Sequence, residues 1–63
     1  MHYIEARKLA DDVKAVAAAD LDTVEAAWKA LCGVQHGYSW PIAQDDMRLT
    51  RLYRRRKDIQ AAT

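Results

Sequence analysis

Residues 41–60, PIAQDDMRLTRLYRRRKDIQ, decide the fold, because their apolar positions recur at helical spacing with no internal break. At about 100° per residue, Ile42, Leu49, Leu52, Tyr53 and Ile59 form one stripe, while Arg48, Arg51, Arg54 and Arg55 spread across the opposite half. Pro41 suits a first helical turn and disfavours helical geometry at Trp40 before it. The helix is therefore expected from near Pro41 to about Gln60, roughly 30 Å long at about 1.5 Å per residue. Asp45 and Asp46 stand early in it and the arginines late, the order that the helix dipole favours.

Towards the N-terminus lies a seven-residue connector, Gly33 to Ser39, that holds both glycines of the chain. A second helix before it opens on Asp22-Thr23-Val24-Glu25. There Asp22 can accept from the Glu25 N–H while Glu25 reaches back, a capping box with Asp replacing Ser or Thr. Val24, Ala27, Trp28 and Leu31 would then face the core, and Gly33 would end the helix in the left-handed conformation. Trp28 is the expected keystone, with truncation to alanine costing about 3–5 kcal/mol if the ring is buried.

A first helix is expected over about residues 3–18, with Ala6, Leu9, Ala10, Val13, Val16 and Ala17 on one face and Arg7, Lys8, Asp11, Asp12 and Lys14 on the other. Its stripe is rich in alanine, which permits close approach of a neighbour but buries little area per residue. The predicted architecture is all-α: one domain over residues 1–63, a small three-helix unit made of a helical hairpin and a long basic third helix, completed by dimerisation.

Size motivates the partner chain. A 63-residue chain of 7.2 kDa hides only about 60% of the surface its unfolded form exposes. A core of that size rarely supplies more than about 3–5 kcal/mol. The single Cys32 excludes an intrachain disulfide and is read as a small apolar side chain in a reducing compartment. No apolar run approaches the roughly 20 residues that span a bilayer, so the expectation is a cytoplasmic protein with no membrane partner.

Within the third helix, Arg56 falls in the apolar stripe and Asp45 near its edge, so the seam reads Ile42, Asp45, Leu49, Leu52, Arg56, Ile59. Two antiparallel copies would set Ile42 against Ile59, Leu49 against Leu52, and each Asp45 against the other chain's Arg56. That complementarity is the basis for expecting a homodimer, and measured molar mass tests it.

Charge is unevenly divided. Residues 1–32 carry six acids and four bases, residues 33–63 three acids and six bases, so the halves stand at −2 and +3 and sum to the chain's +1. Arg48, Arg51, Arg54 and Arg55 are the expected partner-binding residues, supplemented by Tyr38 and Trp40, which together with His36 put three rings into five residues of the connector. A DNA-reading helix-turn-helix fits poorly, because its turn takes about three or four residues and its second helix reads bases from the beginning. Here the beginning offers Ile42, Gln44, Asp45 and Asp46.

Chemistry is sparse. Cys32 and His36 stand four residues apart and His2 is the only other histidine, so a tetrahedral zinc site would need a carboxylate or a second chain to complete it. Phosphate-binding glycine patterns, a nucleophile elbow and a calcium loop are absent from the sequence. The expectation is no enzyme, no cofactor, no metal and no small-molecule substrate. The reading is a helical protein-protein interaction module, an inhibitor or regulator that occupies an acidic surface of a larger partner through its basic helix. Alternatives are a nucleic-acid-binding accessory protein that contacts phosphates through the same arginines, and a structural subunit of an assembly.

Overall fold

The computed structural model describes the backbone of residues 1–35 and 43–62 and the side chains of residues 1–32 and 46–62. Among these residues the chain is all-α, with helices α1 (Tyr3–Asp11), α2 (Val13–Ala18), α3 (Leu21–Gln35) and α4 (Ala43–Ala62). The last two form an antiparallel hairpin, with Glu25 opposite Arg56 and Trp28 opposite Tyr53. Against it pack α1, which touches both helices, and α2, which touches α4. The three-element plan is thus present, with its first element in two pieces.

The expected helix over residues 3–18 breaks at Asp12, whose backbone is extended at φ −100° and ψ 103°. Asp12 serves both pieces. Its N–H donates to the Leu9 carbonyl at 3.1 Å, closing α1. Its Oδ1 accepts from the backbone N–H groups of Lys14 and Ala15 at 3.1 and 3.2 Å, opening α2. A short aspartate side chain competes with backbone carbonyls for the donors of the next turn, and here it wins. Apolar periodicity does not register an interruption of one residue.

The second helix begins two residues earlier than its expected box. Asp20, not Asp22, is the cap: its Oδ1 accepts from the Thr23 N–H at 2.8 Å and its carbonyl from the Val24 N–H at 3.0 Å. The Thr23 hydroxyl and backbone N–H hold the Asp20 carboxyl below its ordinary range. Asp22 moves into the first turn, where the dipole favours a negative charge. At its other end α3 continues through Gly33 to Gln35 rather than stopping at the glycine, since glycine permits a left-handed cap without compelling one. Of the long last helix, the described part reaches Ala62, two residues beyond Gln60; the expected start at Pro41 lies outside the described residues.

The core consists of Ala6, Ala10, Val16, Ala19, Val24, Ala27, Leu31 and Leu52, with Tyr3, Leu9, Ala30, Leu49 and Ile59 partly covered against it. Ala6, Ala10 and Ala27 are completely buried, so α1 and α3 meet through methyl groups at short range. Trp28, expected as the keystone, sits at the margin and is 37% exposed. Cys32 is half-buried, and burial pushes its thiol up.

Candidate functional site

Three of the four arginines expected to face outward point into the molecule. Arg48, only 8% exposed, donates from Nε to Asp11 Oδ1 at 2.8 Å and from Nη2 to Oδ2 at 3.0 Å. Arg51 Nη1 donates to the Ala10 carbonyl at 3.2 Å and lies 3.7 Å from Asp11 Oδ1. Arg55 Nε donates to the Ala19 carbonyl at 3.0 Å. Of the four, Arg54 remains exposed.

The break at Asp12 explains this arrangement. In an unbroken helix the Ala10 carbonyl would accept from the Lys14 N–H, but that donor is taken by Asp12. The Arg51 guanidinium supplies the missing bond. Ala19 closes α2, and Arg55 brings a cation to the carbonyl end of that helix, where the dipole is negative. Arg48, Leu52, Arg55 and Ile59 follow one another at intervals of four, three and four, a single helical face. The docked face of α4 is therefore rotated towards its arginines, away from the purely apolar stripe. Arg48's paired bonds hold the Asp11 carboxyl below its usual range against the cost of burial, helped by the charges of Arg51 and Arg7.

Among the described residues, clefts flank α4 on both its α2 and α3 sides. Between α2 and α4, Val13, Val16 and Ala17 face Arg51, Arg54, Arg55 and Asp58 around a space of about 370 Å³, and Val13 is 70% exposed there. Between α3 and α4 runs a groove of about 390 Å³ lined by Val24, Glu25, Trp28, Lys29, Leu52, Tyr53 and Arg56. Val24 and Leu52 form its buried floor. The Trp28 and Tyr53 rings stand 6.4 Å apart at 46° to one another, a tilted pair within the range of favourable aromatic contacts. Arg56 Nε lies 3.8 Å from Glu25 Oε1, and Lys57 Nζ sits 5.2 Å from the centre of the Tyr53 ring.

This groove was not foreseen from the sequence. Its signal was available in retrospect: Trp28 and Tyr53 are bulky residues at the edges of stripes otherwise filled with alanine, valine and leucine. A core of small residues excludes the largest rings and leaves them at the margin.

Of the expected dimer seam, Leu52 lies in the chain's own core, and Leu49 and Ile59 pack against that core. Arg56 faces Glu25 of the same chain. Ile42 and the Asp45 side chain lie outside the described residues, as do His36, Tyr38 and Trp40. His2 caps α1, with Nδ1 accepting from the Ile4 N–H at 3.3 Å. Asp11 and Asp12, adjacent in sequence, diverge to Arg48 and to the α2 N-terminus. No group of three or more His, Cys, Asp or Glu side chains among the described residues is placed to hold a metal ion. No helix among them is long and apolar enough to cross a membrane.

Comparison with known proteins finds no matching family model, no matching curated protein and no matching solved structure.

Proposed function

We propose that the protein is a non-enzymatic helical interaction module that occupies an acidic surface of a larger partner protein, inhibiting or regulating it by occupancy. The observation that carries this reading is the α3–α4 groove, where an exposed Trp28–Tyr53 pair stands over an apolar floor between basic rims. Aromatic side chains of this kind offer large contact area at low entropic cost and are enriched among the residues that dominate binding energy. The contact surface is thus moved from the arginine row to the groove, with Lys29, Arg56 and Lys57 as its exposed cations.

The phosphate-binding alternative is less well supported. A row of guanidinium groups following a nucleic-acid backbone needs donors at liberty to meet successive phosphates. Arg48, Arg51 and Arg55 direct theirs to Asp11, Ala10 and Ala19 of their own chain.

Affinity capture with the full chain against Trp28→Ala and Arg56→Glu variants tests the proposal. A protein retained by the wild type should be lost with either variant, and an acid-to-base change on that protein should restore capture by Arg56→Glu. Capture indifferent to both substitutions would overturn the reading. So would salt-sensitive binding of labelled duplex DNA or RNA that persists in Trp28→Ala and falls with Arg54→Ala.

A further inference from the structure

Resting on the groove reading above, we infer that the occupant of the α3–α4 groove is a single amphipathic helix of the partner, with an apolar ridge between two acidic flanks. The walls are antiparallel helices in register, Glu25 opposite Arg56 and Trp28 opposite Tyr53. The groove consequently runs along the helix axes. A row of side chains at intervals of three and four residues is the complementary shape, as in ridge-into-groove packing and helix-in-groove recognition. An extended peptide has no corresponding purchase here. Strand addition needs a sheet edge with unpaired main-chain groups, whereas both walls are helices whose mid-segment backbone groups are already bonded within each helix.

Charge decides the flanks. Lys29 lines the groove on the α3 side and Arg56 on the α4 side, with Lys57 beside Tyr53. The sole acid of the lining, Glu25, faces Arg56. Lys29 has no ion pair among the described residues. Cations on both sides of an apolar floor match carboxylates on both sides of an apolar ridge, and they oppose a basic helix. At about 390 Å³ the groove lies low in the range of about 300–1,000 Å³ typical of ligand sites, suited to a few inserted side chains.

The test uses three synthetic helical peptides that share one leucine face and carry Glu, Gln or Lys on both flanks. Each is titrated into the 15N-labelled full chain while the Trp28 indole and the Leu52 and Tyr53 amides are followed. The Glu peptide should bind about tenfold more tightly than the Lys peptide, with Gln between, an effect that a few exposed charge pairs together supply. Lys29→Glu combined with Arg56→Glu should reverse that order, whereas Arg54→Glu, on the other side of α4, should preserve it. Equal affinity for the three peptides would overturn the acidic occupant. Absence of binding, or shifts centred on Val13, Val16 and Ala17, would overturn the helix in this groove. If those results came with capture that still depends on Trp28, the interaction reading would stand and only the helical occupant would fall; without it, both fall.

Discussion

The two edges of α4 are built on opposite plans. Along the edge that meets α1 and α2, charge is bonded within the chain: buried Arg48 grips Asp11 with two bonds, and the half-exposed Arg51 and Arg55 donate to the carbonyls of Ala10 and Ala19. Along the edge that meets α3, bulky apolar surface is left open, with Trp28 at 37% and Tyr53 at 46% exposure. What an arginine does here follows from the donors its neighbours lack. A broken arm presents orphan carbonyls and a carboxylate that offset the desolvation of guanidinium groups, whereas the continuous α3 presents methyl groups and leaves the aromatic rings at its rim.

The most severe way to break this contrast is Leu52→Ala, because Leu52 is completely buried and belongs to both the core and the floor of the groove. A loss of about 2–5 kcal/mol is expected, comparable to the whole stability of so small a domain. Urea denaturation followed by circular dichroism should show little or no folded baseline.

Next comes Arg48→Ala, which strips the paired bonds from Asp11 and should cost about 1.5–3 kcal/mol, the range for hydrogen bonds to charged groups. Arg48→Lys should recover only part, since an ammonium does not reproduce the planar two-donor fork. The same contact shapes the acid limb of the stability curve. Because the folded Asp11 carboxyl is held below its ordinary value, the stability it contributes is present above about pH 4 and is lost as pH falls through the lowered folded value. Melting temperature plotted against pH should fall less steeply at the acid end in Arg48→Ala than in wild type, with the Asp20 cap contributing to the slope that remains. An unchanged acid limb would remove Asp11 from its assigned place in the enclosed edge.

The mildest comparison sharpens the contrast between neighbours in sequence. Arg55→Ala should destabilise by about 1 kcal/mol through loss of the bond to Ala19, while Arg54→Ala, exposed on the same turn, should stay within about 0.5 kcal/mol. Equal effects in thermal denaturation would mean that the two arginines share one environment.

Much of the fold is legible residue by residue. Ala6, Ala10, Val24, Ala27, Leu31 and Leu52 stand at helical spacing and all are buried, and an all-α chain with a long basic last helix follows from that pattern. The candidate site is far less legible. The wheel of α4 places Arg48 and Arg55 on its polar half only while polarity is taken to mean solvent. Arg48 is held by the Asp11 carboxylate and Arg55 by the Ala19 carbonyl, partners on other helices that no periodicity of α4 encodes. Trp28 misleads in the complementary way: its type and spacing say core, and the fold places it at the α3–α4 margin beside Tyr53.

By itself the sequence determined the helices, their order and the small-residue stripe, because helical periodicity and local capping act over a few neighbouring residues. The three-dimensional structure shows which of two aspartates caps α3 and that the first helix divides at Asp12, both through local bonds, and only tertiary packing decided which arginines bond to α1 and α2 and that Trp28 and Tyr53 frame an open groove. The arginines and the rings answer to partners more than 20 residues away in sequence, which the periodicity of one helix does not contain.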